Sequence, residues 1–316
     1  MILALAGGVG GAKLAHGLTR ILPPDQLLIA VNIADDFDHL GLHISPDLDS
    51  VMYKLAGLND TDRGWGLANE TWQFMAALER LGGETWFNLG DRDLATHVER
   101  TRMLTAGASL SEVTRTLCTA LGIDHPIVPL SDDPVRTMVA TEDGPLPFQD
   151  YFVRLQCAPV VTGFTFEGAE SARPADALLS ALNDDDLTAI VICPSNPFVS
   201  IDPFFALPAV ARAMDARTVP IVAVSPIIGG SAVKGPAAKM FGELGVDPSA
   251  AAIAAHYGSR MDGLVIDICD GDLVGPIEET GTRVRIAATL MKTPADEIHL
   301  AQETLAFAEL LGQKKL

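Results

Sequence analysis

The sequence predicts an α/β fold, a Rossmann-like three-layer α/β/α sandwich around a mostly parallel sheet, with a smaller inserted subdomain. Three observations predict it. The chain opens on an apolar run, a glycine cluster and a helix-spaced segment, which reads as strand, loop, helix. Short apolar runs then alternate with helix-spaced stretches over most of the chain, the pattern of βα units and a parallel sheet. Between residues 126 and 169 that alternation gives way to closely spaced short strands with a Glu142-Asp143-Gly144 turn, which reads as a partly antiparallel insertion. The expected division is therefore 1–125 with 170–316 as the core, and 126–169 as the insertion.

Residues 2–6 form the first strand, closed by Gly7-Gly8-Val9-Gly10-Gly11, and residues 12–22 carry the apolar spacing of a helix that ends at Pro23-Pro24. Glycines let backbone approach a ligand, and a helix start offers free N–H groups to an anion. The loop matches neither familiar phosphate motif. A dinucleotide G-x-G-x-x-G needs glycine where Lys13 stands, and a P-loop needs glycine at Ala12 and Ser or Thr at Leu14. An NAD-dependent oxidoreductase is disfavoured accordingly.

Residues 27–33 are a buried-type strand that delivers the chain into residues 32–50, where Asp35, Asp36, Asp38, Asp47 and Asp49 crowd together with His39 and His43. Like charges at one strand end repel unless a cation, a proton or a donor offsets them. Oxygen-rich clusters of this sort suit magnesium, which completes its shell with water and phosphate oxygens. Residues 46–58 read as a helix, so Asp47 and Asp49 fall in its first turn, where the helix dipole alone would account for either one.

Trp65 and Trp72 flank a glycine-rich turn, as core residues or as a platform for a flat ligand. Residues 86–89 read as a strand ending in Gly90-Asp91-Arg92-Asp93, where Arg92 is either a phosphate fork or the partner of a neighbouring aspartate. Ser109 and Glu112 have capping-box spacing ahead of a helix to Leu121. Further strands fall at 127–130, 135–141 and 160–166 in the insertion, then at 187–193, 219–224, 265–269 and 284–287. Helices are expected at 175–182 and 203–214, a helix start at Gly235-Pro236 between Lys234 and Lys239, and a last helix from Thr293-Pro294 to about Leu311. Two of these strands end in ligand-type loops, residues 194–200 and 225–230.

At 316 residues and 48% hydrophobic the chain can bury a large core. With 41 acidic and 22 basic residues its formal charge is −19, which argues against nucleic acid or an anionic membrane as partner. Cys118, Cys157, Cys193 and Cys269 have no paired ligand spacing, and no apolar run reaches the ~20 residues of a membrane helix. A reduced, cytoplasmic protein is expected.

The motifs AGGVGGAK (6–13), VNIADD (31–36), SPDLDSVMY (45–53), RGWGLANETW (63–72), LGDRDLATH (89–97), SDDPVRT (131–137), FQDYFV (148–153), PSNPFVSI (194–201) and SPIIGG (225–230) strongly resemble the 2-phospho-L-lactate transferase family, which makes the deazaflavin coenzyme F420. They span most of the chain in family order. The resemblance implies a magnesium-dependent transferase. Its donor would be a guanosine diphospho-ester of lactate, enolpyruvate or glycerate, its acceptor the ribityl hydroxyl of 7,8-didemethyl-8-hydroxy-5-deazariboflavin, and its leaving group GMP.

Carried over by motif, Asp35 and Asp49 are expected on the magnesium, with Asp49 also near the deazaflavin; Arg92, the candidate phosphate fork, is expected to act with them in catalysis. Asn88 and Asp91 match the deazaflavin side. Ser195, Asn196 and Ser200 match the guanosine-diphosphate loop, and Gly8, Gly10 and Gly11 the phosphate-side backbone. Asn88 stands where some relatives carry a basic residue, a departure on the acceptor side. A related branch of the same fold binds nucleotide sugars and regulates metabolism; it is the alternative reading. The FQDYFV segment and the inserted strands are the candidate surface for a homodimer.

Overall fold

The computed structural model describes residues 1–313. Its centre is a seven-stranded sheet of β1 (Ile2–Ala6), β2 (Leu27–Val31), β5 (Ile127–Pro129), β9 (Ala189–Ile192), β10 (Ile221–Val224), β13 (Gly263–Asp267) and β14 (Arg283–Ala287). The spatial order is β14-β13-β10-β9-β1-β2-β5, and every neighbouring pair is parallel. β1, β2, β9 and β10 are almost wholly buried, as expected of apolar strands covered on both faces. The order reverses between β1 and β9, so the loops after these two strands flank a crevice at the carboxyl edge.

The α/β expectation holds, with local differences. The glycine cluster is not a loop. Helix α1 spans Gly8–Thr19, with Gly7 as its extended N-cap and Gly8 at φ 63°. Glycine is there for close approach: a Cβ on Gly10 would lie 2.2 Å from the Pro194 carbonyl oxygen, and one on Gly7 would lie 2.6 Å from Ser200 Cβ.

The aspartate stretch folds as a small hairpin, β3 (Phe37–His39) with β4 (Leu42–Ile44), before α2 (Pro46–Leu55). Short polar strands of this length carry no periodic signal, so the hairpin is not legible in the sequence. Residues 86–89 are not a strand. Phe87 and Leu89 instead pack with Phe37, Ile44, Trp72 and Met75 in a small cluster separate from the main core. Helices α3 (Gln73–Arg80), α4 (Asp93–Thr105) and α5 (Leu110–Ala120) follow, and the Ser109–Glu112 capping box forms as predicted.

The strand at Ile127, read as the start of the insertion, instead joins the main sheet beside β2. Antiparallel pairing begins only at β6 (Arg136–Thr141), flanked by β7 (Gly144–Pro147) and β8 (Val161–Glu167). After α6 (Asp176–Leu182), the helix expected over 203–214 divides into α7 (Asp202–Ala206) and α8 (Pro208–Asp215), because Pro208 cannot donate to the preceding turn. A two-residue ribbon, β11 (Ile227–Ile228) and β12 (Ser231–Ala232), leads into α9 (Ala237–Glu243), α10 (Ala250–Tyr257) and α11 (Val274–Glu278). Helix α12 (Pro294–Gln313) closes the described chain. No helix among the described residues is long and apolar enough to cross a membrane.

Candidate functional site

A cavity of about 550 Å³ opens at the carboxyl edge of the sheet. The start of α1, the first turn of α2, the 194–200 loop and the 225–237 segment all reach it. Among residues predicted from sequence, Gly8, Gly10, Asp35, Asp49, Asn88, Ser195, Asn196 and Ser200 line it together. Gly11 lies beneath, where a Cβ would meet Ser195 Oγ at 2.7 Å.

Asp91 and Arg92 do not line the cavity. Asp91 accepts from the Thr71 hydroxyl and from the N–H groups of Gln73 and Phe74, capping α3. The Arg92 guanidinium donates to the Ala68 carbonyl. Glu70 caps α4 by accepting from the N–H groups of Arg92 and Asp93, and a Cβ on Gly90 would lie 2.3 Å from the Glu70 carboxyl carbon. The GDRD turn therefore serves helix capping, a role set by partners about twenty residues upstream.

The carboxylates of the 32–50 stretch separate by environment. Asp47 accepts from the Gly8 N–H at 2.7 Å and from the Asn32 side chain at 3.0 Å, tying α2 to α1. Burial nevertheless pushes its carboxyl up to about 6. Asp36 accepts from Ser45 at 2.7 Å and lies 3.2 Å from His43 Nε2, holding the hairpin. Asp38 is exposed. Asp35 is buried with its Oδ1 unpartnered, and burial, then the charge of Asp47, raises its carboxyl well above the usual range. An unfilled, buried carboxylate oxygen costs free energy unless a proton or cation reaches it.

Asp49 belongs to a second network. Arg100, itself buried, donates to both of its carboxylate oxygens. His97 Nδ1 lies 3.7 Å from Asp49, and His97 Nε2 lies 3.3 Å from Asp93. Tyr53 donates to Asp93 at 2.5 Å. Burial raises Asp49 despite Arg100, while His97 and Tyr53 overcome burial at Asp93 and hold its carboxyl low. One ligand atom from each of Asp49, Asp93 and His97 falls within 4.8 Å of the others, so this trio could hold a metal ion; Asp35 is outside it.

Several lining residues were not singled out from the sequence as site residues. Lys13, Arg63 and Lys234 bring positive charge to the cavity, and Phe87, Phe148 and Phe152 bring aromatic surface. Arg63 sits over Trp65 and Trp72, 4.9 and 5.1 Å from their ring centres. The basic residues are scattered between positions 13 and 234, so no local pattern could have grouped them.

Comparison with known proteins follows this geometry. The family model described as "2-phospho-L-lactate transferase CofD" matches residues 2–286. A phosphoenolpyruvate transferase of Kitasatospora aureofaciens is 41% identical over 315 residues, 98% of each chain, and one of Streptomyces coelicolor is 42% identical with the same coverage. A 2-phospho-L-lactate transferase of Methanosarcina acetivorans is 38% identical over 95% of this chain and 97% of its own. Among solved structures, a UPF0052 family member from Bacillus halodurans superposes with a TM-score of 0.64 over 96% of this chain and 98% of that one. At 14% identity that likeness is one of fold alone.

Proposed function

The chain belongs to the 2-phospho-L-lactate transferase (CofD) family, and from that premise we propose that it moves a phospho-acid group from a guanosine diphospho-ester to a deazaflavin. The acid is 2-phospholactate, phosphoenolpyruvate or 3-phosphoglycerate. The acceptor is the ribityl hydroxyl of 7,8-didemethyl-8-hydroxy-5-deazariboflavin. Its oxygen bonds to the phosphorus that carries the acid, the bridge to the second phosphorus breaks, GMP leaves, and the hydroxyl proton is lost. The product is coenzyme F420-0 or its dehydro or glycerate analogue.

The observation that carries this reading is the single cavity that joins three kinds of surface. Gly8, Gly10, Ser195 and Asn196 offer backbone and small polar groups to a nucleotide diphosphate. Phe87, Phe148 and Phe152 offer faces to a flat ring. Asp35, Asp49, Asp93 and His97 lie on the same cavity.

This reading implies magnesium, and the residues present fit it, since Asp49, Asp93 and His97 bring one ligand atom each within 4.8 Å of one another. Asp49 would hold the ion together with Asp93 and His97, while Asp35 faces the same cavity from outside that trio; when bound, the ion would neutralise charge on the phosphoryl oxygens. The chain's own part is to fix the reactants. Arg100 orients Asp49, and Tyr53 and His97 orient Asp93. Phosphoryl transfer needs positioning and charge stabilisation more than covalent catalysis.

The test is to mix purified protein with magnesium, the deazaflavin and each candidate guanosine diphospho-ester. Release of GMP with a phosphodiester product of the right mass is expected from at least one donor. Tight binding of nucleotide sugars with no product from any donor would overturn the proposal.

A further inference from the structure

Against the main cavity lies a smaller one of about 30 Å³, lined by Val9, Lys13, Ser50, Lys54, Asn59 and the 64–66 turn, among others. Lys13 and Ser50 line both, so the recess adjoins the main cavity. In a chain of formal charge −19, this recess has two ammonium groups, two hydroxyls and a carboxamide, and no carboxylate among its lining residues.

Its donors are under-used. The buried carboxylate nearby, Glu297, is taken by Lys54 Nζ at 2.7 Å and His16 Nδ1 at 2.5 Å. Lys13 Nζ makes one hydrogen bond, to the Met291 carbonyl at 2.6 Å, and has no ion pair among the described residues. The side chains of Ser50 and Asn59 make no hydrogen bond there either. Burial disfavours the Lys13 ammonium and Lys54 and Lys234 add to this, with Glu297 offsetting part of it, so that its charge is held less firmly than that of a free lysine. An anion entering the recess would relieve all of this.

We propose that this recess is the subsite for the carboxylate of the transferred acid, an inference that rests on the functional reading above. Size favours it: a buried water needs about 10–15 Å³, so the space suits a group of a few atoms and not a nucleotide diphosphate. Position favours it too. Ser50 follows Asp49, and Tyr53, another wall residue, donates to Asp93, so the recess abuts the acidic cluster. The carboxylate of a three-carbon phospho-acid is only a few bonds from its phosphorus. Lys13 supplies the charge-assisted contact, and Ser50 and Asn59 supply the neutral ones.

The experiment is calorimetric titration of GDP, and of the guanosine diphospho-ester of enolpyruvate, into wild type, Lys13→Gln and Ser50→Val, after thermal melting shows each is folded. Lys13→Arg serves as the charge-keeping control if Lys13→Gln melts early. Lys13→Gln is expected to weaken the ester about 10- to 100-fold while GDP, which has no carboxylate, binds as before. Ser50→Val, which fills the recess without changing charge, should show the same selectivity. Equal losses for GDP and ester would place Lys13 on the diphosphate and overturn the proposal, as would undiminished ester binding in both variants. A wild type that binds neither GDP nor ester would instead sink the functional reading, and this proposal with it.

Discussion

Arg100 lays its guanidinium along the Asp49 carboxylate, a buried two-pronged ion pair between residues 51 positions apart. Removing one partner of such a pair strands the other charge in a medium that cannot solvate it. Arg100→Leu should therefore cost about 3–5 kcal/mol of stability, read by urea denaturation. The double variant with Asp49→Asn should recover part of that loss; a double variant as unstable as the sum of the singles would show that the pair is not energetically coupled.

Asp49→Asn alone keeps one acceptor for Arg100 and removes the charge facing the cavity. Turnover should drop by about 100-fold or more while far-ultraviolet circular dichroism stays native. Wild-type turnover in this variant would remove Asp49 from the proposed site.

The metal-free protein should be more stable at mildly acidic pH than at neutrality. Burial pushes Asp47 from an ordinary 3.8 up to about 6 and also raises Asp35 and Asp49. An acid that holds its proton more tightly when folded contributes stability below its unfolded pKa and loses it as pH rises through its folded one. For Asp47 that window runs from about 4 to about 6; carboxyls held low, such as Asp91 and Asp93, act below it. Denaturation with a chelator present should show stability falling across the window, and Asp47→Asn should flatten the fall. Magnesium should restore stability more at neutral pH than at acid pH, because protons compete for the same oxygens.

Gly10→Ala should damage the site through packing alone. Its new methyl would meet the backbone carbonyl oxygen of Pro194 at 2.2 Å, so α1 or the 194–200 loop must shift. A loss of about 1–3 kcal/mol is expected, with weakened GDP binding, checked by melting and titration. Unaltered melting would mean the loop yields freely.

Much of the fold was legible because buried parallel strands are runs of apolar residues, as in LALA (3–6) and LLIAV (27–31), and these need no knowledge of their partners. The start of α1 was misplaced because glycine is a poor helix former in isolation, and only the Pro194 and Ser200 contacts explain why it is used there. Phe87 and Leu89 fill a cluster with Phe37 and Met75, and their alternation cannot be told apart from a strand pattern. The same limit applies to the site. The aspartate stretch announced itself by local charge density. The pairing of Asp49 with Arg100, the capping duty of Asp91 and the meeting of Lys13 with Lys54 each depend on partners far along the chain.

The contact between α1 and α12 sets an order of events during synthesis. A Cβ on Gly17 would lie 2.1 Å from the Glu297 carbonyl, and the Glu297 side chain holds His16 and Lys54. β1 also waits for β9, nearly two hundred residues later, before its second edge is covered. In a nascent chain the glycine motif therefore lacks these partners until β9 and the loop after it have been made. The nucleotide end of the cavity can assemble only once the 194–200 loop, on which Gly7 and Gly10 pack, has been made.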